Sequence, residues 1–462
     1  MLKTTTGTIP NTALMALQAS LGGTLHVADD PGYDTARATF NLSFDQYPAI
    51  IVTAANARDV QAAVRFASAS GLKIAIKSTG HGVIVPADNA LLLVTSRMNR
   101  VRVDPVAQTA YVEAGARWLD VLGPAQTAGL APLLGSSPFV GAVGYTLGGG
   151  MGWLARKYGM AADSVNFFEV VTPSGELLRA SATENTDLYW ALRGGGGGFG
   201  IITGMEIRLY PVTAFYGGNL YYPIAQAKAV FQHYREWIKN APDELTSSIA
   251  VMNFPPLPQL PEPLRGQTFA IVRGCYSGSA AEGEALLRHW REWQTPLIDD
   301  FAARPFTDIA RVSNDPVDPM PAYVTGAWMR EITDEAIDTL IEYAAAKTAP
   351  APLVFAEIRH AGGAIGRAND SALSLRDANH ILEMVGITPT PEARAALTSY
   401  TAAFKRELGT ALTGGLYLNF TEGEEARKGA RQGFKPDAFE RLQSVKRAVD
   451  PADRLSHSYD FS

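Results

Sequence analysis

A two-domain α+β fold is what this sequence predicts, and three observations carry the prediction. From Lys77 to Ile202, glycine-dense loops separate short apolar runs of strand type. Near Pro211 the texture changes: residues 215–415 set strand-like pieces and helices in blocks, the pattern of an antiparallel sheet covered on one face. After residue 415 the chain supplies one more strand, over 416–420, and one helix, over 436–449. The domains expected are therefore 1–212 (with a core of about 44–212) and 213–414, with 415–462 completing the first.

Composition narrows the function classes. A length of 462 residues predicts roughly two to four domains. Hydrophobic content of 47% against 19% charged residues suits a globular enzyme with a large core. A net charge of −6, with no concentrated Lys/Arg block, argues against a nucleic-acid partner. No window reaches about 18 uninterrupted apolar residues, so no membrane-spanning helix is expected. The apolar run at 13–17 is too short for a secretion signal and is broken by Gln18, so a cytoplasmic protein is expected. The single cysteine, Cys275, excludes internal disulfides and multi-thiolate metal sites, and reads as a small buried hydrophobe.

Taken in order, an amphipathic helix is expected over 11–21 and a buried strand over 48–53. Asn56 then opens a helix that Gly71 stops, and the strand over 73–77 delivers a loop containing His81, making a small α/β layer. Strands are expected over 90–94, 109–113, 167–172 and 200–210, and helices over 116–128 (despite Pro124) and 187–192. In the second region strands are expected over 269–273, 323–329 and 353–359, and helices over 224–240, 280–295, 335–346 and 391–408. The proline-rich 255–263 reads as a surface loop, and there are no internal repeats.

The glycine loops carry the chemistry. Glycine at this density costs backbone entropy. It makes sense where bare N–H groups must lie against a large phosphate-bearing ligand. Gly195-x-Gly197-x-x-Gly200 satisfies the dinucleotide fingerprint by letter, but it follows a helix and enters a strand, the reverse of the required order. No nucleotide-triphosphate loop is present either. Both folds are set aside.

The segments Lys77-Ser78-Thr79-Gly80-His81-Gly82, Gly135-Ser136-Ser137-Pro138-Phe139-Val140-Gly141, Gly148-Gly149-Gly150-Met151-Gly152, Arg156-x-Tyr158-Gly159-x-x-x-Asp163 and Asp187-Leu-x-Trp190-Ala-x-Arg193 occur in this order. Together they resemble the FAD-linked oxidase family of vanillyl-alcohol oxidase type, in its berberine bridge enzyme-like branch, near 6-hydroxynicotine oxidase and the oligosaccharide oxidases. The resemblance covers nearly the whole chain. It implies a PCMH-type FAD-binding fold with an inserted substrate domain, an antiparallel sheet plus helices. It implies FAD bound covalently through His81, with O2 as acceptor, H2O2 as product and a small-molecule substrate; a homodimer is left open. Ser137 stands where many members carry a second tethering cysteine, so a single tether is implied. Lys77, Ser78, Thr79, Gly80, Gly82, Val140, Gly141, Tyr145, Gly148, Gly149, Gly150, Gly152, Gly200, Ile202, Tyr417 and Asn419 are the other cofactor-side residues that the resemblance implies. The small Val140 favours an oxidase over a dehydrogenase.

The catalytic base is the open question. Phe420 occupies the place of the family's tyrosine base in Tyr417-Leu-Asn419-Phe420, which tilts the expected substrate toward an amine or an already acidic phenol or enol over an alcohol. In the strand over 353–359, alternation puts Phe355, Glu357 and Arg359 on one face and apolar Val354, Ala356 and Ile358 on the other. Glu357 reads either as a proton acceptor tuned by Arg359 or as half of an ion pair on a solvated face. Tyr145 is expected at the edge of the flavin, and Tyr417, three positions from Phe420, is a lesser catalytic candidate. His360 and His380 read as surface or packing residues and Arg376 as structural. A dehydrogenase with another acceptor, or a non-redox cyclase or isomerase on the same scaffold, remains the alternative.

Overall fold

The computed structural model describes residues 2–4, 7–345, 351–367 and 369–462. The first layer is a four-stranded sheet in the order Thr24–His26, Ile50–Thr53, Leu91–Val94, Ile74–Lys77. The last three strands run parallel, so a crossover must join Ile50–Thr53 to Ile74–Lys77. Helix Ala57–Ala69 is that crossover, and Asn56 caps it by accepting the N–H groups of Arg58 and Asp59. Its Val60, Ala63, Val64 and Ala67 pack on Ile50, Val52, Ile74, Leu91 and Leu93. The predicted α/β layer is present.

Beside it lies a five-stranded antiparallel sheet in the order Leu177–Ser181, Val165–Val171, Ile201–Arg208, Thr109–Glu113, Val101–Asp104. Helices Trp118–Thr127, Thr186–Leu192 and the C-terminal Pro436–Val449 contribute to its core through Trp118, Trp190, Phe439 and Leu442.

The third unit is an eight-stranded antiparallel sheet. Its centre is Ala214–Pro223, Thr268–Tyr276, Leu245–Asn253, Phe355–His360, His380–Ile387 and Ala322–Met329 in that spatial order. Helices Ala227–Ile238, Ala280–Trp293, Asp334–Ala344 and Pro391–Leu408 contribute to the core built on one face, against residues such as Ile249, Val272, Ile358 and Leu382. Those are alternate residues of their strands, so the opposite face carries Ser248, Arg273, Glu357, Arg359 and Glu383.

Two expectations fail here. The segment 416–420 is no strand: its backbone turns through a short 3-10 helix, Leu418–Phe420, with Phe420 N–H donating to the Tyr417 carbonyl. Its Tyr417 and Asn419 side chains are committed to the glycine loop, and the backbone curls to place them there. Three long strands, Ala214–Pro223, Leu245–Asn253 and His380–Ile387, were also not expected individually. Gly217-Gly218-Asn219, Thr246-Ser247-Ser248 and Glu383 interrupt their apolar pattern, because one sheet face is polar yet buried.

Candidate active site

The first wall is built from the loop after Ile74–Lys77. Gly80 adopts φ +77°, and a Cβ there would stand 2.8 Å from Thr39 Cα, so only glycine carries the chain past that point. The turn presents His81, whose Nδ1 lies 2.8 Å from Thr79 Oγ1 and whose ring stacks on Phe40 at 3.8 Å between centroids. Burial pushes the imidazole down to about 4, so it is neutral at pH 7. Ser78 Oγ is buried without a hydrogen-bond partner among the described residues. A Cβ added to Gly82 or Gly144 would meet nothing within 4 Å, so both border open space. Lys77 was expected to face the cofactor. Its ammonium instead donates to the Ala36 carbonyl at 2.6 Å and to that of Ala38, and burial lowers it to about 8. It braces the loop from behind.

The second wall is the run Gly135–Gly152. Ser137 Oγ accepts the Phe139 N–H at 3.3 Å, holding the turn that leads to half-buried Val140 and to Gly141. Protein side chains and main chain lie close on the glycines that follow. Cβ atoms on Gly148, Gly149, Gly150 and Gly152 would collide with Asn419, Leu373, Tyr145 and the Leu134 carbonyl respectively. These glycines were read as bare main chain against a ligand; in the structure their close approach lets the loop fold tightly over Tyr145 and the C-terminal segment. Gly200 likewise admits Val170, and Ile202 is a buried strand residue.

Tyr417 and Asn419 clamp this wall. Tyr417 Oη accepts the Met151 N–H at 2.9 Å, and Asn419 Nδ2 donates to the Tyr145 carbonyl at 2.9 Å. Burial raises the Tyr417 phenol above its ordinary range, which suits a fixed acceptor for an amide better than a base. Tyr145 packs edge-on to Trp118, and its Oη is buried without a partner among the described residues.

The third wall is the polar face of the large sheet. Glu357 is fully buried, not on a solvated face, and accepts Ser248 Oγ at 2.7 Å, Arg359 Nε at 2.8 Å and Arg273 Nη1 at 3.1 Å. Burial opposes its ionisation, but the two guanidiniums and these hydrogen bonds prevail and hold it down at about 2. Such a carboxylate is a fixed anion and a weak proton acceptor, which corrects the expectation for Glu357. The poised group is Glu383, which stands directly opposite Glu357 and accepts Arg359 Nη2 at 2.7 Å. Burial raises Glu383 to about 7; Arg359 pulls it down, while Glu357 and Asp315 push it up. Two carboxylates sharing one cation are driven apart in this way. Arg359 also lies 4.7 Å above the Phe420 ring, where the family's tyrosine base would stand.

Glu383 was missed because its strand was. The available signal was one acid inside the run Ile381-Leu-Glu383-Met-Val385. His360 is a packing residue as expected, its Nε2 lying 3.0 Å from Arg156 Nη1, and Arg376 holds Asp163 through two 2.7 Å bonds. The His380 ring lies 5.9 Å from that of His360. Among the described residues no cluster of three or more His, Cys, Asp or Glu is set to hold a metal, and no helix is long and apolar enough to cross a membrane.

Comparison with known proteins agrees with this fold. Residues 48–181 match the FAD binding domain family. Among curated proteins, (R)-6-hydroxynicotine oxidase of Paenarthrobacter nicotinovorans is 26% identical, the match covering 97% of this chain and 98% of that protein. The structure of 6-hydroxy-D-nicotine oxidase from Arthrobacter nicotinovorans superposes with a TM-score of 0.83 at 23% identity, covering 96% of this chain and 98% of that one. Glucooligosaccharide oxidase from Acremonium strictum, described for its 6-S-cysteinyl, 8α-N1-histidyl FAD, superposes with a TM-score of 0.81 at 22% identity, covering 96% and 97%. The protein is an enzyme whose cofactor is FAD, with the two-domain α+β fold of the PCMH-type, berberine bridge enzyme-like FAD oxidases.

The residues present fit that cofactor. Ser78 and Tyr145 offer buried hydroxyls without protein partners among the described residues, Gly82 and Gly144 leave space, and His81 presents a neutral imidazole.

Proposed function

We propose that this protein is an FAD-linked oxidase that takes a hydride from a small amine, phenol or enol and passes the electrons to O2 as H2O2. The observation that carries the reading is the buried Glu357–Arg359–Glu383 arrangement beside the glycine wall, one carboxylate locked as an anion and the other poised near neutrality. FAD, when bound, supplies the two-electron acceptor for the substrate C–H bond.

The protein's share is binding and proton handling. Glu383 takes the substrate proton, and Arg359 orients it and favours its ionised form. Glu357 neutralises Arg273 and Arg359. His81, neutral and held by Thr79, forms the single covalent tether, because Ser137 cannot make the thioether. The histidyl link described for glucooligosaccharide oxidase supports this assignment. Ser78, Thr79, Gly80, Gly82, Val140, Gly141 and Tyr145 line the cofactor side, with Gly148, Gly149, Gly150, Gly152, Gly200, Ile202 and Asn419 behind them. Tyr417 positions the Met151 amide. Residues 1–212 with 415–462 form the FAD-binding domain, and 213–414 the substrate domain.

The test is anaerobic mixing with a panel of amines, phenols and alcohols while the flavin absorbance is followed, then admission of air. Bleaching followed by stoichiometric H2O2 supports the oxidase. Bleaching that air does not reverse, but another acceptor does, makes it a dehydrogenase. No bleaching by any compound that binds favours non-redox chemistry.

A further inference from the structure

The loop that carries His81 is held at both ends by distant parts of the chain. The Gly80 carbonyl accepts the Asn41 N–H at 3.2 Å, and the Val83 carbonyl accepts the Gly423 N–H at 2.9 Å. One carboxylate ties these two anchors together: Glu422, 5% exposed, for which the proton chemistry above has no use. Its Oε2 accepts Asn41 Nδ2 at 2.8 Å, and its Oε1 accepts Arg394 Nη2 at 2.8 Å. Arg394 belongs to helix Pro391–Leu408, which packs on the large sheet. Asn41 is tied to that sheet as well, its Oδ1 accepting the Ala322 N–H at 3.1 Å. The junction is tight, for Gly423 adopts φ +59° and a Cβ there would stand 3.3 Å from Arg394 Nη2. Phe40, beside Asn41, is the residue on whose ring His81 stacks.

We propose that Glu422 is a positioning residue for the flavin tether: with Asn41 and Arg394 it fixes the His81 loop against the large sheet, so that the imidazole stands where attachment to FAD takes place. The inference rests on the covalent reading above and adds the group that sets its geometry. Attachment of the 8α-histidyl kind described for glucooligosaccharide oxidase joins a ring nitrogen to the 8α carbon, breaking one N–H and one C–H bond. The two electrons and two protons go to the flavin ring and then to O2, giving H2O2. Such a step depends steeply on placement, a misfit of about 1 Å costing about 100-fold. Charge-assisted hydrogen bonds are short and directional, which suits Glu422 to hold the loop from two sides.

The test uses full-length protein from flavin-limited cells, mixed with FAD in air and quenched in acid at intervals. Flavin in the pellet and intact mass report attachment. Glu422→Gln keeps the side-chain shape and removes the charge, and should slow attachment about 10-fold, the remaining FAD washing out of the pellet. Asn41→Ala leaves the Glu422–Arg394 pair whole; it should slow attachment too, and carries the test if Glu422→Gln does not fold. A second readout needs no flavin. Of the seven histidine Cε1–H resonances, the one lost in His81→Ala should shift in both variants. An unchanged attachment rate in the folded variants, or a still His81 resonance, would overturn the proposal. A rate restored in Glu422→Gln/Arg394→Gln, where that pair leaves no lone charge, would reduce Glu422 to neutralising Arg394 and overturn it too. Wild-type protein whose flavin all washes out would defeat the covalent reading, and this inference with it.

Discussion

The two walls of the site are built on opposite principles. The His81 and glycine side is made of main chain and neutral groups: an uncharged imidazole, and hydroxyls at Ser78 and Tyr145 that no described protein group satisfies. The sheet side is dense with charge, and its charges are chained by ion pairs: Arg273 to Glu357, Glu357 to Arg359, and Arg359 to Glu383. Neutral hydroxyls left over suit the holding of something else. A chain of buried charges sets the electrostatics of what enters. On the proposed function the site separates holding from proton chemistry, and each half should break without the other.

The largest effect is expected at the receptacle. His81→Ala should remove all covalently held flavin, read as colour lost from an acid-washed pellet and one FAD lost from the intact mass, while the sheet side keeps its pH behaviour. Next, Glu357→Gln leaves two buried guanidiniums short of charge, and should cost about 3–5 kcal/mol of stability in denaturant unfolding. Equal stability would mean that Glu383 can ionise to replace it. Glu383→Gln should fold well and slow flavin reduction about 100-fold. An unchanged reduction rate would remove it from the mechanism. Tyr417→Phe deprives the Met151 N–H of its acceptor and should cost about 1–3 kcal/mol.

The pH dependence sharpens the contrast. Glu383 is raised from 4.5 to about 7, so the stability it contributes is present below pH 4.5 and lost as pH rises through 7. Glu357 is depressed from 4.5 to about 2, so its contribution is present above pH 4.5 and lost as pH falls toward 2. The melting temperature should be highest near pH 4.5. Its decline from there to about pH 7, and the rise of the reduction rate through about pH 7, should both vanish in Glu383→Gln.

The receptacle could be read from the chain because its information is local. Gly80, His81, Ser137 and Gly148–Gly152 act through loop conformation and spacing, which survive in a linear string. Even so, their neighbours could not be read. That Asn419 and Tyr145 fill the space over Gly148 and Gly150, and that Lys77 turns its charge onto the carbonyls of 36 and 38, depends on segments far apart in sequence. The strand expected over 416–420 failed for the same reason: Tyr417 and Asn419 are drawn into the glycine wall, and that pull overrides a local apolar pattern.

By itself the sequence determined the α+β class, the small parallel layer and the helices over the large sheet, and it singled out the glycine loops and His81 that the proposed function uses. Each depends on periodicity or on residues a few positions apart. Only the tertiary structure distinguishes the two carboxylates by their partners, three hydrogen-bond donors on Glu357 and Arg359 on Glu383. Glu357 and Glu383 are 26 positions apart (383 − 357) and chemically identical, and pairing of their strands sets them opposite each other across Arg359. Burial, two cations on one acid and fewer on the other then split their affinities for a proton. That splitting is a property of distances through a low-dielectric interior, which no linear pattern encodes.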